Sequence, residues 1–348
     1  MRRALAAVAV AAALAGGAAA FFLWRRAHTP ARPRSFWGPN GEYALSLVDD
    51  RGRYLSKLRG PLKLVLDPFT GYRNFPNQQT SAFTIDADGF RGAPVGDDAR
   101  PKLALLGGSV AFGFGPPKQD DTVAARLQAL EPGYRVINGG VISFGSGQEL
   151  ALMVHVLDRF HPQVYVVLDG WNDLALPLVQ WDQREGRLGV DRQFLDQLAD
   201  ELARAQSQPA GAERPVEELE EDAFLARAQQ GYLDNLDRMS RFARASGARL
   251  VVVLQPDVGT RRAHPPEEAP LLDVRQGVYR RRAVNEKYRR FAEAVAAFCR
   301  SRAIDFYDLD GDPAFAAEPA VLFYDMVHPN ERGHALMAEL IHRHLSKH

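Results

Sequence analysis

Cysteine is almost missing from this chain: Cys299 is the only one in 348 residues. A single thiol can form no internal disulfide framework and no cysteine metal cluster, so cysteine usage is silent on redox compartment. Cys299 sits in a helical pattern and is expected in the core. Net charge is missing too, because 43 Lys and Arg balance 43 Asp and Glu. That balance supplies neither the basic footprint that nucleic acid requires nor an acidic solvating tail. Phosphate cradles are excluded on other grounds: GxGxxG is absent, and no lysine occupies the P-loop position after Gly107 and Gly108. Asp308, Asp310 and Asp312 do not match calcium-loop spacing and no distal glutamate follows. A turn after a strand accounts for them, and no metal or other cofactor is expected.

One long uncharged run is present, Ala4 to Trp24, flanked by Arg2 and Arg3 on one side and Arg25 and Arg26 on the other. About 20 such residues span a bilayer as a helix. The small residues Ala18 to Ala20 offer a rival reading, a cleaved signal peptide, but Phe21 to Trp24 prolongs the apolar stretch past that point. The expectation is a membrane anchor within residues 1–28 and a catalytic domain outside the cytoplasm, secretion after cleavage being the alternative. A raw positive-inside count, with Arg25, Arg26, Arg32 and Arg34 after the run, argues the other orientation. A short basic start before an apolar segment is equally how export signals begin.

Residues 29–100 read as a linker followed by a small cap of strands and loops, with strand-like pieces at Leu62 to Leu66 and Ser81 to Ile85 and turns at Asp67-Pro68 and Asp88-Gly89. From residue 101 to 348 the pattern changes to alternating short apolar runs and helical spacings. Strands are expected near Leu103 to Leu106, Arg135 to Ile137, Val164 to Leu168, Leu250 to Leu254 and Ile304 to Tyr307, with helices between them. Such alternation gives an α/β fold with a five-stranded parallel sheet. In the helix of Val216 to Ala245, the stripe Tyr232, Leu233, Leu236, Met239 and Phe242 is expected to be core. Gln255 to Asp273 is long for a loop and reads as a lid or binding loop, with disorder as the rival and His264 in solvent.

The chemistry concentrates at strand ends. After Leu103 to Leu106, Gly107 and Gly108 allow a tight turn that displays Ser109 as a nucleophile would be displayed; a helix cap is the plainer reading. The second strand runs into Asn138, Gly139, Gly140, Val141, Ile142 and Ser143, whose backbone N–H groups can face a ligand. The third runs into Gly170, Trp171, Asn172 and Asp173, which aims the Asn172 amide at the same crevice unless it merely caps a helix. Near the C-terminus, Asp325 and His328 are three apart, so the carboxylate can hold one ring nitrogen while the other faces Ser109.

These four blocks, in this order, resemble the SGNH or GDSL-like hydrolases over most of Leu103 to His344. The resemblance implies a three-layer α/β/α fold of flavodoxin type, with Ser109 as nucleophile, His328 as base and Asp325 as its orienting partner. It implies an oxyanion hole from the Ser109 N–H, a second-block N–H and the Asn172 side chain. Two positions depart from the family pattern. The usual aspartate before the serine is Gly108, and the second-block glycine falls on Ser143. The GxSxG elbow is a poorer fit, because Ala111 replaces its last glycine and that fold separates acid and histidine. The implied reaction is hydrolysis of an ester, with O-acylated envelope glycans or lipids suggested by the membrane segment. An O-acyltransferase with the same triad and a catalytically inactive binding module are the alternatives.

Overall fold

The computed structural model describes residues 45–54, 60–96, 98–174, 221–272 and 283–347. The Ala4 to Trp24 run and residues 216–220 of the helix expected over Val216 to Ala245 lie outside these residues. Among the described residues no helix is long and apolar enough to cross a membrane.

Ahead of the main sheet, β1 (Leu45–Val48) and β2 (Leu62–Asp67) pair in parallel and β3 (Gly71–Asn74) returns antiparallel to β2. A small ribbon follows, β4 (Gln78–Gln79) with β5 (Thr84–Ile85). The strand expected over Ser81 to Ile85 shrinks to β5 because the Thr80 hydroxyl oxygen accepts the N–H groups of Ala82 and Phe83. A side chain that captures local backbone donors closes a turn where a ladder would otherwise run. Leu45, Leu47, Leu62, Leu64 and Tyr72 belong to one continuous core with Ala104, Leu106 and Phe144, so the cap packs on the main domain.

The main sheet contains β6 (Lys102–Gly107), β7 (Arg135–Asn138), β8 (Pro162–Asp169), β9 (Arg249–Leu254) and β10 (Asp305–Asp308). All neighbours are parallel and the order is β10-β9-β8-β6-β7. Counted from β6, this is the 2-1-3-4-5 order of flavodoxin-like folds, whose ligand crevice opens where the order reverses, between the first and third strands. Here that point lies at the carboxyl ends of β6 and β8.

Helices cover both faces. In chain order they are α1 (Ser109–Phe112), α2 (Val123–Leu130), α3 (Ser146–Leu152), α4 (Glu221–Ala245), α5 (Ala283–Arg302), α6 (Pro313–Ala316) and α7 (Glu331–Leu345). Alternating strand residues point opposite ways. Ala104, Leu106, Tyr165, Val167, Val252 and Leu254 pack with Leu236 and Met239 of α4 and with Phe291, Val295 and Cys299 of α5. Leu103, Leu105, Val164, Val166, Val251 and Val253 pack with Leu127 of α2 and with Met337 and Ile341 of α7. Val164 to Leu168 are all buried, each such side chain contributing roughly 1.5–3 kcal/mol. A strand covered on both sides therefore reads as an unbroken apolar run.

Pro329 lies just before α7 and outside its first turn, because Asn330 is the cap: its side-chain oxygen accepts the Gly333 N–H at 2.9 Å. The described part of the long loop, residues 255–272, is a packed strap. Arg261 and Glu268 form an ion pair with side chains 1 % and 0 % exposed, and His264 is half-buried.

Candidate active site

Ser109 stands where β6 turns into α1. Gly107 has φ 146°, and a β-carbon there would run into the Leu168 carbonyl of β8, the residue with which it is in register. Only glycine lets the strands stay paired this close to the turn. Gly108 is the cap residue of α1 and makes no side-chain cap bond, so Ser109 is the first helical residue with its hydroxyl uncommitted to capping. The Ser109 Oγ is 2.9 Å from Nε2 of His328.

His328 is held by its own turn. Asp325 Oδ1 accepts the N–H groups of Val327 at 2.9 Å and His328 at 2.8 Å, and Oδ2 is 2.7 Å from His328 Nδ1. A carboxylate only accepts, so Nδ1 carries the proton and Nε2 is left to accept from the serine hydroxyl. Burial alone would raise the Asp325 carboxyl. The adjacent His328 ring and the two backbone donors outweigh it and hold Asp325 below the usual carboxylate range. The Phe114 ring lies against the imidazole, with centroids 4.3 Å apart, and restricts its rotation.

The other two blocks close on the same crevice. Asn172 donates from Nδ2 to the Phe144 carbonyl at 2.7 Å, and a β-carbon on residue 108 would lie only 2.4 Å from that Nδ2. A primary amide has two N–H donors, so the Phe144 bond leaves one for a substrate oxygen. Asn172 lies within a helical turn after Gly170 and does not act as its cap. Ser143 precedes Phe144 and has φ 62°, a left-handed conformation that glycine adopts freely and serine does not. The backbone thus keeps the glycine-type geometry at the position where the sequence departs from glycine.

Beneath this loop the second and third blocks are joined by buried acids. Asp173 accepts from the Ser146 N–H at 3.1 Å and from the Ser146 hydroxyl at 2.6 Å, and Asp169 accepts from the Tyr232 hydroxyl at 2.7 Å. Glu149 is fully buried beside them. Burial pushes the Asp169 carboxyl up to about 7 and Asp173 up to about 6. Glu149 is raised well above the carboxylate range by burial and then by its two acidic neighbours. Among the described residues no group of His, Cys, Asp or Glu is arranged to hold a metal ion.

Ser109, His328 and Asp325, which the sequence singled out, are therefore joined in one hydrogen-bonded chain, and Asn172 and Ser143 border it through Gly108 and Phe144. Sequence reasoning missed Phe114, the acids beneath the loop, and the cap's contribution. Arg91 is 3 % exposed and donates to the carbonyls of Phe112 at 3.3 Å and Gly113 at 2.8 Å, at the end of the serine's helix. An isolated arginine in a turn-rich stretch carries no periodicity to mark it.

Residues 105–336 match the GDSL-like Lipase/Acylhydrolase family. The chain belongs to that family. This GDSL-like protein is accordingly a hydrolase of ester bonds. No curated protein matches it. Among solved structures it is similar to a GDSL-like lipase from Bacteroides thetaiotaomicron, at 14% identity and TM-score 0.42 over 74% of this chain and 92% of that one. It is also similar to a catalytic mutant of an acetylxylan esterase from Geobacillus stearothermophilus, at 16% identity and TM-score 0.42 over 70% of this chain and 94% of that one.

Proposed function

We propose that this GDSL-like hydrolase is a serine esterase in which Ser109 attacks the ester carbonyl, His328 takes its proton and Asp325 orients and charge-stabilises the ring. The observation that carries the reading is the unbroken chain from Ser109 Oγ to His328 Nε2 and from His328 Nδ1 to Asp325. A serine hydroxyl is a weak nucleophile until an adjacent base accepts its proton. In the first step the Ser109 oxygen bonds the acyl carbon, and His328 returns the proton to the departing alcohol. In the second, His328 deprotonates water, which releases the acid and regenerates Ser109. The Ser109 N–H, the Ser143 N–H and the Asn172 amide stabilise the oxyanion in both steps.

The substrate class is an O-acylated glycan or lipid ester of the cell envelope, a reading that the apolar Ala4 to Trp24 run supports. That run holds the protein in the membrane with the hydrolase domain outside the cytoplasm. Protease added to intact spheroplasts should digest the domain; full protection until lysis would overturn this placement. The purified full chain should release acid from short-chain nitrophenyl esters, and Ser109→Ala and His328→Ala should each abolish that release. Turnover that appears only when a sugar acceptor is added would favour an acyltransferase. Full activity in Ser109→Ala would refute the nucleophile.

A further inference from the structure

The second-block loop is hydrogen-bonded by a residue outside the family's matched span. Val141 to Phe144 form a β-turn closed by the Phe144 N–H on the Val141 carbonyl at 3.2 Å. Its third residue, Ser143, has φ 62°, whereas Ile142 is not among the residues with positive φ. Positive φ at the third position alone defines a type II turn, which wants glycine or asparagine there. Type I, the form serine prefers, differs chiefly by a rotation of the central peptide through about half a turn.

That central peptide joins the Ile142 carbonyl to the Ser143 N–H. In a trans peptide the two point in opposite directions, so whatever fixes one aims the other. The Tyr72 hydroxyl donates to the Ile142 carbonyl at 2.9 Å. Tyr72 is 2 % exposed, belongs to β3 of the cap, and meets the Phe144 ring edge to face at 5.4 Å. On either side the cap holds the same segment again: Asn74 donates to the Gly140 carbonyl at 3.2 Å, and the Thr70 carbonyl accepts from Gln148 at 2.9 Å.

We propose that Tyr72 is a positioning residue for the oxyanion hole: its hydroxyl holds the Ile142–Ser143 peptide in the type II orientation, so that the Ser143 N–H faces the crevice. The bond also polarises the peptide and strengthens the N–H as a donor. Where the loop carries glycine, the turn adopts type II without help; with Ser143 it needs an external partner. The cap, residues 45–96, lies outside the matched residues 105–336 and is thereby part of the working site. This inference rests on the assignment of the Ser143 N–H to the oxyanion hole.

The test is a double-mutant cycle in the full chain, assayed on a nitrophenyl ester. Tyr72→Phe keeps the ring and removes one hydroxyl. In the natural sequence it should lower kcat about tenfold or more, with KM within about twofold, because an oxyanion donor acts in the transition state. In a Ser143→Gly background, where left-handed φ carries no penalty, the same change should cost at least threefold less, measured against Ser143→Gly itself. Unchanged kcat in Tyr72→Phe overturns the proposal. So does an equal loss in both backgrounds, which would mean that the hydroxyl acts on packing alone. A Ser109→Ala variant run alongside separates the failures: if it stays active, the underlying esterase reading has failed, and if it is dead while the cycle shows no coupling, only the Tyr72 role has.

Discussion

The Asn172 amide packs directly on Gly108: a β-carbon on residue 108 would lie 2.4 Å from Nδ2 of Asn172 and 3.1 Å from the Phe144 carbonyl oxygen. These two neighbours leave no room for a side chain at residue 108. Gly108→Ala should displace the Asn172 amide and lower kcat by on the order of 10² with KM little changed, the range found when one oxyanion donor is lost. Gly108→Asp, which restores the family's usual residue, should be at least as damaging. Wild-type kcat in Gly108→Ala would show that the amide can retreat without consequence.

Removing the amide itself separates two roles that the sequence left open. Asn172→Ala deletes both the Phe144 bond and the free N–H. If the amide meets the oxyanion, kcat should fall by about 10² to 10³ with KM nearly unchanged. If its work is only to tie the second and third blocks together, the loss should be about 1 kcal/mol of stability with kcat preserved. Measuring kcat and the thermal midpoint on the same preparation decides between them.

Much of this site could be read from the sequence because its chemistry sits at strand ends, and short apolar runs ending in Gly-Gly-Ser, Asn-Gly-Gly and Gly-Trp-Asn-Asp mark such ends directly. Asp325 and His328 were legible for a similar reason: three residues apart, they meet within one turn. Tyr72 and Arg91 were not. Each reaches the site through a contact between distant segments, Tyr72 to Ile142 across 70 positions and Arg91 to Gly113 across 22, and no local spacing encodes such a meeting. The packing of residues 255–272 was not legible either, because the pair that holds them down, Arg261 and Glu268, looks in sequence like two ordinary surface charges.

The acids beneath the second-block loop should make stability depend on pH in an unusual direction. Asp169 is raised from 3.8 to about 7 and Asp173 from 3.8 to about 6 by burial. Between about pH 4 and 7 the folded state therefore holds more protons than the unfolded one, and stability contributed by this cluster falls as pH rises. It is complete below the unfolded value and lost once pH passes the folded one. Each retained proton tilts stability by up to about 1.4 kcal/mol per pH unit. Glu149→Gln removes one acid from the cluster, and its thermal midpoint should decline less than that of the wild type between pH 5 and 7.5. Parallel declines would place the pH dependence elsewhere.

Glu268 offers the sharpest test of the strap. Its carboxylate is fully buried, pairs with Arg261, and accepts the N–H groups of Leu322 and Phe323, three and two residues before Asp325. Arg261 in turn donates to the Ala320 carbonyl at 3.1 Å. The pair thus anchors the approach to the Asp325–His328 turn. Glu268→Gln keeps an oxygen for the two backbone donors but leaves a buried guanidinium without its counter-charge, which costs about 3–5 kcal/mol. At about 2–4 °C per kcal/mol for a domain of this size, the thermal midpoint should drop by about 10 °C. An exposed lid charge would move stability by no more than about 0.5 kcal/mol. Arg261→Met combined with Glu268→Gln should recover part of the loss, since the unpaired charge is gone; a double variant no more stable than Glu268→Gln would mean that the backbone bonds to Leu322 and Phe323, and not the ion pair, hold the strap down.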